Sequence, residues 1–180
     1  MRIINMIQLN RTQIIQAAQI LTDSIPAGWP TLQHALDEIH NLLPPENTLL
    51  AAIEDGSVLG WGGILAPTYN GNVFEIHPLV VRSDKRKQGI GRAIVKALED
   101  EARKKGGLTI YVGADDGTGD GETSLANVDL YDDLPGKITS FSPGTHQSGF
   151  YLKLGYKIIG VMPDANGLGK PDIYLAKCLW

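Results

Sequence analysis

Apolar positions along the first forty residues recur mainly with a helical period. A mixed stretch over residues 3–9 reads as a strand, after which Asn10 and Gln13 stand three apart in a capping-box pattern. Ile14, Ala17, Ala18 and Leu21 then repeat at the 3.6-residue spacing of a helix face. Pro26, Gly28 and Pro30 interrupt the pattern, and a second helix is predicted over about 31–43, stopped by Pro44-Pro45. Residues 48–54 and 57–66 read as two strands joined at Asp55-Gly56, a dipeptide suited to a tight hairpin. Gly60, Gly62 and Gly63 weaken the second of these unless another backbone or a ligand approaches closely.

The alternation is clearest over residues 73–81. It predicts a strand with Val73, Glu75, His77 and Leu79 on one face and Phe74, Ile76 and Val80 on the other. A helix follows over about 90–105, with Ile90, Ile94, Ala97, Leu98 and Ala102 as its apolar stripe and Lys96, Glu99, Asp100 and Arg103 toward solvent. Gly106-Gly107 ends it. Residues 108–112 form a short buried-type strand, whereas 113–145 are rich in Gly and Asp and predict at most a helical turn. A helix over 150–154 and strands over 157–162 and 172–179 complete the chain. The resulting order, β-α-α-β-β-β-α-β-α-β-β, predicts an α/β fold with one mixed central sheet and helices on both faces. With no repeat and no dividing linker, it reads as a single domain over 1–180.

Composition narrows the function classes. The apolar and charged fractions, 43% and 20%, are those of a globular protein, and a net charge of −4 disfavours non-specific nucleic-acid binding. No apolar run reaches membrane-spanning length, and the start lacks a signal-peptide pattern. Cys178 alone cannot form an internal disulfide, so a cytoplasmic setting is expected; its apolar strand predicts a packing role. A serine-hydrolase elbow and a dinucleotide fingerprint after the first strand are both missing. His34 and His40 fall on different helix faces, and a partial calcium-loop pattern near Asp116 has Asn127 where Glu is needed. No metal is expected.

Candidate chemistry concentrates after the central strand. Arg86-Lys87-Gln88-Gly89-Ile90-Gly91 opens a helix, which would aim the N–H groups of Gln88, Gly89, Ile90, Gly91 and Arg92 at one anion. Lys85, Arg86, Lys87 and Arg92 add positive charge. Spacing alone also fits a basic, Gly-punctuated helix start without a ligand. Glu75 and His77, on one strand face leading to that point, are a candidate base pair or a solvent-facing polar pair. Between residues 115 and 136 stand Asp115, Asp116, Asp120, Glu122, Asp129, Asp132 and Asp133 without one Lys or Arg. These carboxylates would attract a polycationic amine, or form a solvated acidic loop. Trp29 could wall an acceptor site or belong to the core.

The element order and the R-x-x-G-x-G segment resemble the GCN5-related N-acetyltransferase superfamily. Further segments are similar to its aminoglycoside 6′-N-acetyltransferases: residues 75–81 (EIHPLVV), 106–111 (GGLTIY), Asp115-Asp116, Tyr151 with 153–157 (KLGYK), and the tail from Gly160-Val161 to Lys170-Pro171-Asp172. The likeness runs from about residue 10 to 178. It implies acetyl-CoA, with pyrophosphate at Arg86, Lys87, Gln88, Gly89, Ile90, Gly91 and Arg92 and the pantetheine arm along Leu79, Val80 and Val81. Lys153 falls in the cofactor-side helix. The resemblance also implies that Tyr151 donates a proton to the departing thiolate, where the residue type alone would equally fit a core aromatic. A homodimer is implied, with an aminoglycoside 6′-amine favoured as acceptor and polyamines, protein amines or a non-catalytic acetyl-CoA sensor as alternatives.

The reaction sets the chemical demand. A primary amine with a pKa of ~10.4 must lose a proton before attack, roughly 4.6 kcal/mol at neutral pH, while the leaving thiolate resembles one of pKa ~8.5. A base is therefore worth more than an acid. Glu75 is the first choice to hold and deprotonate the amine, with His77 second, and transfer is expected to be direct in a ternary complex.

Overall fold

A computed structural model describes residues 1–43, 45–117 and 121–180. Pro44, placed at a helix end above, and Asp120, placed in the acidic stretch, lie outside the described residues. The elements run β1 (Arg2–Asn5), α1 (Arg11–Ser24), α2 (Leu32–Leu42), β2 (Thr48–Glu54), β3 (Ser57–Ile64), β4 (Val73–Val81), α3 (Ile90–Lys104), β5 (Thr109–Asp115), α4 (Leu134–Thr139), α5 (Ser148–Lys153), β6 (Lys157–Met162) and β7 (Asp172–Cys178). The fold is mixed α/β, as the alternation of periods predicts, with one short extra helix, α4. Contacts group the chain into two compact units, residues 1–110 with 179–180, and residues 111–178.

In the first unit β1, β2, β3 and β4 pair antiparallel in sequence order. The expected first strand is shorter than its apolar pattern, because a 3-10 turn, Met6–Gln8, follows β1 and Asn5 caps it by accepting from the Ile7 N–H. α1 starts on the predicted capping box of Asn10 and Gln13. The β2–β3 turn has positive φ at both Asp55 (49°) and Gly56 (78°), the twist that a two-residue hairpin requires.

One face of this sheet carries α1 and α2. Ala17, Ala18, Leu21, Ala35 and Ile39 pack there with Ala51, Ile53, Trp61 and Val80. At ~25 cal/mol per Å² of apolar surface, such burial is the main favourable contribution to folding. α3 packs against the same strands with Ile90, Ile94, Val95, Leu98 and Ala102 buried. Two expectations change here. Ala97 gives its place in the stripe to Val95, and Glu99 is buried rather than exposed, with an Arg103 guanidinium nitrogen 3.8 Å away. Gly106, at φ 85°, ends α3 in the left-handed conformation expected of a helix stop.

The second unit contains β5, β7 and β6 in that spatial order, so β6 is an edge strand. β6 and β7 are antiparallel. β5 runs three residues further than predicted, through Gly113 to Asp115. A Cβ at Gly113 would lie 3.0 Å from an oxygen of Asp172, so the carboxylate occupies the space that a side chain would need. Cys178 is exposed, which overturns the packing role expected of it.

Candidate active site

In the first unit the site is organised by a bulge in β4. Gly62 pairs with Leu79 and Ile64 with Ile76, so two steps along β3 oppose three along β4, around His77-Pro78. The bulge exchanges the faces of the strand. Val80 joins the cluster beneath α1 and α2, whereas the point where a Gly62 Cβ would sit is 3.0 Å from Leu79 and 3.4 Å from Ile94 of α3. Glu75 and His77 therefore share a face, but Leu79 leaves it, unlike the simple alternation read from sequence. The glycines of β3 permit this approach. A Cβ at Gly60 would lie 2.6 Å from the Val80 carbonyl oxygen, and one at Gly63 would lie 2.7 Å from that of His77. Backbone approach thus accounts for all three glycines.

On the exchanged face, His77 meets two residues from elsewhere in the chain. Its Nε2 lies 3.4 Å from Glu38 Oε1 on α2, and its ring centroid lies 5.8 Å from that of Trp29 at an interplanar angle of 53°. Trp29 also packs on the apolar cluster, so it serves as core and as a wall for His77 at once. Glu75 is half-buried. Glu38 did not emerge from sequence reasoning, since nothing in its helix pattern marks it as facing a strand residue thirty-nine positions away.

Beyond β4 the chain makes a 3-10 turn, Ser83–Lys85, and enters α3 through Gly89, at φ 84°. Lys87 is also left-handed, at φ 61°. Ala93 donates the first helical hydrogen bond, to Gly89 O at 3.0 Å. Among the described residues no acceptor is found for the N–H groups of Gln88, Gly89, Ile90, Gly91 and Arg92. Four such groups are orphaned at any helix start, and the left-handed pair extends the run to a fifth. The segment is open to solvent apart from Ile90 and the half-buried Gly91.

The charged residues around this turn are not equivalent. Arg86 donates from Nε to the Val81 carbonyl at 3.1 Å and from Nη2 to Ser24 Oγ at 3.3 Å, so its side chain braces the loop from behind. Arg82 grips Asp84 through two hydrogen bonds, 2.6 and 3.0 Å, and this contact holds the Asp84 carboxyl below its usual range. The acid within this turn is thereby paired. Lys87 and Arg92 stay exposed, as does Gln88, whose Nε2 donates to Asp84 O at 3.4 Å.

The second unit holds the remaining predicted residues. Tyr151, on α5, is 3% exposed and packs edge-on against Phe150 and Tyr156 at 5.1 and 5.4 Å between centroids. Burial pushes its hydroxyl well above its ordinary value, which keeps the phenol protonated. No hydrogen bond of that hydroxyl is found among the described residues. Lys153 is exposed on the last turn of the same helix.

Asp115 is exposed at the end of β5, and Asn166 Nδ2 donates to its Oδ1 at 2.7 Å. Asp116 differs sharply, being fully buried with its carboxylate taken by Thr123. Its expected role in attracting the acceptor is not one that this position supports. Asp129 and Asp133 accept hydrogen bonds from main-chain N–H groups of their own turns. Three of the six described carboxylates therefore shape their loop.

Two residues missed in the sequence stand behind Asp115. Buried His146 donates from Nε2 to the Asp115 carbonyl at 2.8 Å while Nδ1 faces Ser148 Oγ at 3.0 Å. At the start of β7, Asp172 has one carboxylate oxygen buried without a hydrogen-bond partner among the described residues. Burial, then the nearby Asp115 carboxylate, raise its carboxyl above the usual range. No group of three potential metal ligands is found among the described residues.

A run of main-chain N–H groups thus opens α3 one short turn after a bulged strand that carries Glu75 and His77. The acetyltransferase (GNAT) family matches residues 14–120, and the chain belongs to that family, which places it among the N-acetyltransferases. An aminoglycoside 6′-N-acetyltransferase complexed with coenzyme A is 36% identical with a TM-score of 0.92, over 100% of this chain and 98% of the other. The aminoglycoside 6′-N-acetyltransferase from Enterococcus faecium is also 36% identical, with a TM-score of 0.90 over the same shares. An IAA acetyltransferase from Azospirillum brasilense is 29% identical over 93 residues, 52% of this chain and 60% of the relative.

Proposed function

We propose that this protein transfers the acetyl group of acetyl-CoA to a primary amine, favouring the 6′-amine of aminoglycosides. The observation that carries the reading is the run of five N–H groups over residues 88–92 that find no acceptor among the described residues, which suits the pyrophosphate of a CoA ester. It stands one loop beyond a strand that presents Glu75 and His77. The similarity to an aminoglycoside acetyltransferase that holds coenzyme A supports both the cofactor and the acceptor.

The residues divide the work. Lys87, Arg92 and the nest hold pyrophosphate, with Arg86 and Gln88 bracing the turn. The main chain of Leu79, Val80 and Val81 carries the pantetheine arm, and Lys153 contributes on the cofactor side. Glu75 holds the acceptor ammonium beside His77, this pair draws off its proton, and Trp29 forms an apolar wall. The amine nitrogen then bonds to the thioester carbon as the C–S bond breaks. Tyr151, kept protonated by burial, supplies a proton to the departing sulfur. Asp115 offers a carboxylate to a further ammonium of the acceptor.

The two units work as one N-acetyltransferase domain, a reading supported by neighbours that cover the whole chain. A cytoplasmic setting fits the lone cysteine, and a role in antibiotic resistance follows from the acceptor. The working form is a homodimer through the C-terminal region. Ile159 and Met162, 64% and 52% exposed on the edge strand β6, favour that assignment.

The deciding experiment is CoA release from acetyl-CoA with a 6′-amino aminoglycoside, its 6′-hydroxy analogue, spermidine and a lysine peptide. Turnover with the first and not the second supports the reading. Turnover only with spermidine or the peptide discards the acceptor, and silence with all four discards catalysis.

A further inference from the structure

We propose that Glu38 is a positioning residue that fixes the ring of His77 with its Nδ1 lone pair presented to the acceptor amine. This rests on the acetyl-transfer reading above. A neutral imidazole carries one proton, on either nitrogen, and its surroundings decide which. At His77 the surroundings are unequal. Nε2 stands 3.4 Å from the Glu38 carboxylate, which favours the proton on that side. Among the described residues no hydrogen bond engages Nδ1, and the side chain remains 37% exposed. Trp29, packed on the core, lies against the ring and restricts its rotation.

The charged groups around the ring are Glu38 from α2 and Glu75, two residues along β4; Trp29 brings none. Glu75 then holds the incoming ammonium, while Nδ1 of His77 takes the proton. The N–H bond breaks, its electron pair remains on the amine nitrogen, and the imidazolium formed faces Glu38. That nitrogen bonds to the thioester carbon, and the C–S pair departs on sulfur. Neutralising Glu38 removes both the tautomer bias and the counter-charge to the imidazolium.

The test combines nitrogen NMR and kinetics on the full chain. With ¹⁵N-labelled histidine and His77→Gln to assign the resonance, neutral His77 is expected as the Nε2–H tautomer. Glu38→Gln should shift it toward a mixture and lower kcat for the amine acceptor roughly tenfold. The KM for acetyl-CoA should stay at the parent value, and Glu38→Asp should restore part of kcat. An Nδ1–H tautomer in the parent, or parental kcat in Glu38→Gln, would overturn the proposal. A parent inactive with every amine would instead overturn the acetyl-transfer reading, and the tautomer would still decide the role of Glu38.

Discussion

Thr123 donates both its main-chain N–H and its hydroxyl to the fully buried carboxylate of Asp116, with 2.5 Å between Oγ1 and Oδ2. The contact closes the loop after β5 at its base, and Asp116 N–H donates in turn to the Pro171 carbonyl at 2.9 Å. A buried carboxylate whose donors would be stranded by its removal belongs to folding. Asp116→Ala should therefore lower stability by ~2–4 kcal/mol in urea titrations, since it leaves buried donors unpaired. The apparent KM of its folded fraction for spermidine should remain within about twofold, a margin of roughly 0.4 kcal/mol. Asp115→Asn should behave inversely, raising that KM with little change in stability. Equal effects of the two on KM would return Asp116 to the acceptor site.

Gly89 and Gly60 separate two reasons for glycine. A Cβ added at Gly89 would meet no atom within 4 Å, but the residue sits at φ 84°, so Ala there meets backbone strain of about 1–2 kcal/mol and not a clash. Relief of that strain would turn the nest. Gly89→Ala should weaken CoA binding in calorimetry by roughly tenfold, about 1.4 kcal/mol. Gly60→Ala would drive a methyl group against the Val80 carbonyl and should lower the thermal midpoint instead. Unchanged CoA affinity in Gly89→Ala would remove the nest from the binding site.

What was legible in the sequence is what short-range periodicity controls. β4 appears with the predicted bounds because its buried positions alternate, and α1 starts where its capping box stands. Features set by distant partners were hidden. Glu99 reads as a solvent residue because its burial is set by the packing of α3 and not by its own helix pattern. The bulge at His77-Pro78 leaves burial alternating along β4 while exchanging its faces, so the pattern gives no sign of it. Glu38, His146 and Asp172 enter through contacts across many residues of chain. The N–H run at the start of α3 was readable because its glycines and basic residues are contiguous, whereas Trp29, Glu38 and His77 meet from separate segments.

Asp172 should leave a signature in the pH dependence of stability. Its carboxyl is raised in the folded state by burial and by Asp115, above the ~3.9 of an unfolded chain. Between those two values the folded state binds more protons than the unfolded state, so stability falls as pH rises through that window. Below the unfolded value the loss vanishes, and above the folded value it is complete. Asp172→Asn removes the titration and can still accept the hydrogen bond from Tyr174. Its urea midpoint should thus gain on the parent as pH rises from about 3 to 7. A parent–variant difference constant over that range would show that Asp172 ionises normally.

Tyr151 supplies the sharpest test of the assigned acid. Its ring packs between Phe150 and Tyr156, so Tyr151→Phe keeps the packing and removes only the hydroxyl. Burial raises the phenol, and it stays protonated throughout the assay range; no limb of the parent pH–rate profile should belong to it. The group it would protonate is a thiolate of pKa ~8.5, able to leave unaided at higher pH. Tyr151→Phe should consequently lower kcat by about tenfold near pH 7, with a smaller loss above ~8.5. Stopped-flow detection of CoA thiol separates chemistry from product release. A loss independent of pH would indicate that the hydroxyl positions the thioester, and no loss would reduce Tyr151 to the core aromatic that its burial alone describes.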